Sequence, residues 1–408
     1  MKKKSKGVGR ALLVLLGIAL YVFSAWVLVA PYIKIETKEL ASREKAKDFV
    51  QTSSWARDVY TQYVEDVEWY KGFLISEAHD LVTGKTSITD NEQSRANGIE
   101  VEIKRKLPYG DLYLAMAKYN QEIFMNGQKY LDSVEAYSNE CLDVRSYGLE
   151  SDIVGSIYFP GLDVSFPLYL GGSMAHLNNG VAQLSQTSMP IGGINTNCVV
   201  AGHRGWSNGK YLKDIELIQV GDVLEVTTLW EIMHYRVTEI KVIMPRDVES
   251  ILIQPGRDML TIVTCHPYGT GGRYRYLLLC DRVEEEFLAE SALYGSGTQH
   301  IIEQQTKSTE PQPQETEVET SAPSETRHTI HTDSAPNGTE IVNGITISSG
   351  VDFESSKQAI FLDDFLHYVG FALLAILPIV VIIILLVKKR KKGAKGNGQE
   401  TTAEPEKG

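Results

Sequence analysis

Cysteine is scarce in this chain: Cys141, Cys198, Cys265 and Cys280 are the only four in 408 residues. That is too few for a disulfide scaffold, and a chain this long can build a core of its own. Four cysteines in an exported segment can form two disulfides in three pairings; the other reading is that at least one is a working thiol. No C-x-x-C pair occurs, so a structural zinc site lacks its usual ligand spacing. G-x-x-x-x-G-K-S/T, G-x-G-x-x-G and H-E-x-x-H are absent too, which leaves phosphate-loop, dinucleotide and zincin chemistry without scaffolds. Positive charge is missing from the middle of the chain. The net charge is -12, yet the first ten residues carry +5 and residues 388–408 carry +4, leaving about -21 between them. So acidic a body repels a phosphate backbone, and nucleic acid is excluded as a partner.

Charge of either sign is missing from two runs. Ala11 to Ile33 contains none, and 23 residues at 1.5 Å each cross a hydrocarbon core of about 30 Å. A cleaved signal peptide is the competing reading, but its apolar region runs to only about 7–15 residues. A second run, Tyr368 to Val387, stops at Lys388-Lys389-Arg390-Lys391-Lys392. Cations beside both spans resist translocation. The expected topology is a two-pass protein of the cell membrane, held in lipid by helices over 11–33 and 365–387. Basic cytoplasmic tails then occupy 1–10 and 388–408, and the body lies outside the cell.

Within that body, residues 34–118 place Phe49, Val50, Trp55, Val59, Tyr60, Tyr63, Val67, Trp69 and Phe73 at three- and four-residue spacings, which predicts amphipathic helices. A second helical pattern runs from Leu112 to Phe124. From 152 to 288 the texture changes to short β-branched and aromatic runs between turn residues, and seven or more strands at this spacing predict a closed barrel or a sandwich. Residues 295–352 contain no Phe, Tyr or Trp, so a disordered tether is expected over 289–364. With about 58 such residues, its reach is on the order of 40 Å.

Several candidates for chemistry have plain explanations. Gly171-Gly172-Ser173-Met174-Ala175 resembles a serine nucleophile elbow but ends in Ala, and reads as a glycine-rich loop. His328-x-x-His331 lies in the tether. What remains is a Cys/His/Arg set. Cys265 ends the buried run Met259 to Thr264, and His203 sits between glycines in Ala201-Gly202-His203-Arg204-Gly205 after a strand. Arg273 and Arg275 open the strand that follows Cys265, and alternation places both on one face, so spacing does not choose between them. A thiol is mostly protonated at neutral pH, and a neighbouring imidazolium or guanidinium makes the thiolate accessible. The same arginine can donate two hydrogen bonds to an oxyanion. A buried structural cysteine with a loop histidine is the alternative, and His266 is a rival base.

These residues also carry a resemblance. Thr261-Ile262-Val263-Thr264-Cys265 followed by Pro267-Tyr268-Gly269, with Ala201-Gly202-His203-Arg204-Gly205 62 residues upstream of the Cys, resembles the sortases of Gram-positive bacteria. Pro167-Leu168-Tyr169, Gly192-Gly193 and Ile253 to Asp258 lie between or before them in the family's order, and the likeness is strongest to class C, the pilin-polymerising branch. The resemblance implies an eight-stranded β-barrel over 152–288 with short connecting helices. It implies a cysteine transpeptidase that cleaves an LPxTG-like sorting signal without cofactor or metal. Cys265 is then the nucleophile, His203 the general acid and base, and Arg275 the oxyanion donor. The loop before Arg275 is one residue longer than the family's, so Arg273 stays a second candidate. A lid is implied over 119–151, where Leu131-Asp132-Ser133-Val134 keeps the Asp of the family's lid motif but lacks its Pro and aromatic. The implied partners are pilins or surface proteins bearing sorting signals, with a pilin lysine or the peptidoglycan precursor as acceptor. A non-catalytic surface scaffold is the alternative from another class. An L,D-transpeptidase is excluded by the absence of Ser-His-Gly-Cys.

Overall fold

The computed structural model describes residues 5–85, 87–129, 131, 139, 141–205, 209, 211–284, 333–334 and 339–396. Two compact units divide the chain, one of residues 1–37 with 357–408, the other of residues 38–356. The first unit holds two helices long and apolar enough to cross a membrane. These are the first part of α1 (Ser5–Thr52) and a C-terminal helix that begins at Lys357. Within the unit, Tyr32 donates to Asp363 at 3.0 Å.

In the second unit α1 continues to Thr52 and is followed by α2 (Ser54–Thr61), α3 (Val64–Thr83), α4 (Asp90–Lys106) and α5 (Gly110–Asn126). The polar stretch between the two apolar patterns, from Gly84 to Asp111, is largely α4. Its start is a capping box in which Glu92 N donates to Thr89 Oγ1 at 3.2 Å and Thr89 N donates to Glu92 Oε2 at 2.9 Å. Its end carries Lys104, Arg105 and Lys106 against the negative pole of the helix dipole. Only Ala96, Ile99 and Ile103 are buried along it, a stripe too thin to stand out by hydrophobic pattern. α5 runs on through Asn126 into the segment expected as a lid, and Val144 and Leu149 beyond it are buried in the main core.

Eight strands follow: β1 (Ile153–Phe159), β2 (Val164–Leu170), β3 (Val181–Gln183), β4 (Thr196–Gly202), β5 (Val223–Thr228), β6 (Ile232–Ile243), β7 (Asp258–His266) and β8 (Tyr274–Val283). One turn of helix, α6 (Met174–Leu177), joins β2 to β3. The strand order is β5-β1-β2-β3-β4-β7-β8-β6, and pairing of β5 with β6 closes the barrel, which removes the open edges that invite aggregation. Strand parity sorts the side chains of β7 and β8. Leu260, Ile262, Tyr276 and Leu278 join the main core, whereas Met259, Val263, Leu277 and Leu279 form a smaller cluster with Val199 and Ile243.

The helical region shares the barrel's core. Trp230, 2% exposed, donates from Nε1 to the Pro108 carbonyl at 2.7 Å and meets Tyr113 edge-on at 5.0 Å between centroids. Arg57 donates to the Thr228 carbonyl at 3.1 Å, and Asn120 Oδ1 accepts from Met189 N at 2.6 Å. Trp230→Ala should therefore destabilise the unit by about 3–5 kcal/mol, the usual cost of emptying an aromatic site, as a lower denaturation midpoint followed by circular dichroism.

The stretch expected to be a tether over 289–364 contains regular structure. Asp333–Ser334 (β9), Glu340–Val342 (β10) and Ile345–Ile347 (β11) extend the sheet, with β11 lying parallel to β6 at Thr346↔Lys241 and Ile347↔Val242. Asn343-Gly344 makes the turn with φ of 52° and 78°, the left-handed pair that Asn-Gly supplies in a tight hairpin. The C-terminal helix, α7 (Lys357–Gly396), then starts before residue 365.

Candidate active site

Three adjacent strands bring the Cys/His/Arg set together. β4 runs parallel to β7 with Ala201 beside Val263, and continuing that register two residues further brings His203, just beyond the end of β4, toward the level of Cys265. Thr264 Oγ1 donates to the Gly202 carbonyl at 2.7 Å and ties the two ends. β8 runs antiparallel to β7 with Arg275 as the cross-strand partner of Cys265. Arg273 lies before the strand and is exposed. The pairing thus puts Arg275, not Arg273, beside the thiol.

Gly272 fits the closest approach. It has a φ of +86°, and a Cβ there would lie 2.9 Å from Cys265 Sγ and 3.0 Å from Arg275 Nη1. Any side chain would strain the backbone and wedge between thiol and guanidinium. Arg275 Nη1 donates to the Gly272 and Tyr274 carbonyls at 2.8 and 3.0 Å, which fixes the guanidinium. Cys265, His203 and Arg275 are each half-buried, open enough for a substrate and dry enough to strengthen charge interactions.

Burial lowers the pKa of His203, and the positive charge of Lys38 lowers it further. The imidazole Nε2 is buried without a hydrogen-bond partner among the described residues. Lys38→Met should raise the His203 midpoint toward the ordinary value of about 6.5, measured from its ring proton in an NMR titration.

The other cysteines are unpaired as well. Burial pushes the Cys198 and Cys280 thiols well above the ordinary range, with help from Asp258 and Asp281 respectively, so neither is placed to react. Cys141 contacts the Tyr119 hydroxyl at 3.2 Å. The rival base His266 is fully buried on the opposite face of β7, within 3.2 Å of Arg204 and 3.3 Å of Glu216. Ser173, the serine of the elbow-like loop, caps α6 by accepting from His176 N at 3.2 Å. Asp132, His328 and His331 lie outside the described residues. Among the described residues, no group of His, Cys, Asp and Glu is arranged to hold a metal.

The closed eight-stranded barrel thus sets Cys265 opposite Arg275 on neighbouring strands, with His203 just beyond the end of the strand on the other side. Residues 157–283 match the family described as the sortase domain. A curated relative, sortase A of Streptococcus agalactiae serotype III (strain NEM316), is 27% identical over 140 residues, covering 33% of this chain and 55% of the relative. The chain thus spans about half the length of that relative. Among solved structures, sortase C1 of Streptococcus agalactiae is 28% identical, covering 45% of this chain and 90% of that one at a TM-score of 0.39. Sortase C-1 of Actinomyces oris is 28% identical, covering 43% and 99% at 0.37.

The sequence reading overlooked Gly272, Glu216 and Lys38. Gly272 was visible as the second glycine of Gly271-Gly272 before the strand. Glu216 and Lys38 stand 13 and 165 residues from His203, and nothing in their local pattern marks them.

Proposed function

We propose that the protein is a membrane-anchored cysteine transpeptidase that cleaves an LPxTG-like sorting signal and passes the acyl group to a pilin lysine. The cross-strand pair Cys265–Arg275 of β7 and β8, with His203 directly after the neighbouring β4, carries this reading. The Cys265 thiolate attacks the Thr carbonyl carbon, and the oxyanion that forms takes hydrogen bonds from Arg275. Collapse of the tetrahedral centre breaks the Thr–Gly bond, His203 protonates the departing amine, and a thioacyl enzyme remains. His203 then accepts a proton from the lysine amine as it attacks the thioester, which breaks the C–S bond, releases an isopeptide-linked product and regenerates the Cys265 thiolate.

The lysine acceptor rests on the likeness of the Cys and His motifs to class C and on two apolar helices that would hold the barrel at the outer membrane face. Both basic tails would then be cytoplasmic. The test supplies an LPxTG-type peptide with a lysine-bearing pilin fragment or with a short wall-precursor amine. Faster transfer to the pilin lysine supports pilus assembly; exclusive transfer to the short amine shifts the function to wall anchoring.

A further inference from the structure

A second row of side chains lies behind the first. Arg204 follows His203 and His266 follows Cys265, so strand alternation turns both away from the groove, where they are 1% and 0% exposed. They meet each other: Arg204 Nη1 is 3.2 Å from His266 Nδ1. Glu216, from the turn Ile215–Leu217 between β4 and β5, touches both, with Oε1 2.8 Å from Arg204 Nη2 and 3.3 Å from His266 Nδ1. Arg204 Nε donates to the Lys213 carbonyl at 3.1 Å, and Tyr276 lies under the guanidinium at 5.8 Å. Burial would raise the Glu216 carboxyl, but hydrogen bonds from His266, Arg204 and Ser356 and the Arg204 charge hold it down at about 2. It is a carboxylate at any physiological pH.

The segment before the C-terminal helix completes this cluster. Glu216 Oε2 accepts from Ser356 N at 3.2 Å and from Ser355 Oγ at 3.4 Å. Phe353 stacks on the His266 ring at 5.4 Å and 11°. Asp352 N donates to the Tyr274 hydroxyl at 3.1 Å, and Tyr268 N donates to Ser356 Oγ at 2.9 Å. Among the described residues His266 Nε2 has no hydrogen-bond partner, so the ring is oriented by its Nδ1 side and by this stack. The segment therefore grips β7 and β8 at the residues flanking Cys265 and Arg275.

We propose that Glu216 is a positioning residue for the Cys265–His203 pair, acting through Arg204 and His266, and that residues 352–356 complete its setting. The proposal rests on the transpeptidase reading. A buried ion pair is a poor device for stability, because desolvation offsets much of its attraction, but it holds a geometry closely. Here the two groups that Glu216 holds, Arg204 and His266, are each one peptide unit from a reacting side chain, and a shift of either moves the neighbouring Cα with it.

The test uses the full-length chain in detergent micelles, with Glu216→Gln, Glu216→Asp and Phe353→Ala. A sorting-signal peptide gives kcat and KM, iodoacetamide gives the alkylation rate of Cys265, and thermal unfolding gives the folded fraction. Glu216→Gln should lower kcat at least 10-fold with KM within twofold and slow alkylation at least threefold. Glu216→Asp should recover part of both, and Phe353→Ala should lower kcat severalfold, all with the protein folded at the assay temperature. A Glu216→Gln enzyme within twofold of wild type, or a loss that only follows the unfolded fraction, overturns the proposal. Should the wild type turn over no sorting peptide, the transpeptidase reading fails, and alkylation alone then decides: slowing supports the positioning role, an unchanged rate overturns it.

Discussion

Cys265→Ala abolishes transfer and leaves the barrel folded. The side chain is half-buried at the end of β7, in the row that includes Val263 rather than among the main-core residues Leu260 and Ile262. Losing one sulfur there should cost the fold about 1 kcal/mol or less. The chemistry loses everything, because no thioacyl intermediate forms without the nucleophile. His203→Ala should be nearly as severe, by about 10²–10⁴-fold, the range for a general acid and base. Far-UV circular dichroism of both variants checks the separation: a lost β signal would assign these residues to the core instead.

Arg275→Ala lowers kcat by about 10²–10³-fold, the scale for removing one oxyanion donor, whereas Arg273→Ala stays within about twofold. The two arginines share the parity of β8, and sequence spacing leaves them equivalent. Strand register separates them: Arg275 is opposite Cys265 and tied to two carbonyls, while Arg273 is exposed before the strand begins. Steady-state kinetics on the two single variants measures the difference directly. A larger loss at Arg273 would mean that the working pair is offset by one step of the strand.

The contrast between these arginines shows where the sequence stops being informative. Cys265 and His203 are legible because each ends a buried β run beside turn residues, a local pattern. Their adjacency is not local, since it depends on the parallel pairing of β4 with β7 across an intervening hairpin of β5 and β6. Glu216 is hidden for the same reason, as it reaches Arg204 and His266 only once the connections are packed. Helix α4 and the β10–β11 hairpin are different cases. Thr89-x-x-Glu92 and Asn343-Gly344 are readable signals, but both lie in stretches with few apolar residues, where hydrophobic periodicity says nothing and only the cap and turn chemistry marks the element. Phe353 lies one residue beyond the aromatic-free run of 295–352, and it is the residue that stacks on His266.

The central claim is that Cys265 forms a thioester with a sorting signal. Intact mass spectrometry of the full-length protein in detergent, incubated with LPxTG-type peptides and no acceptor amine, tests it most directly. The account predicts an adduct with the mass of the peptide truncated after Thr, present in wild type, absent in Cys265→Ala and discharged by an added amine. An adduct that persists in Cys265→Ala, or no adduct with any peptide of this type, would contradict it.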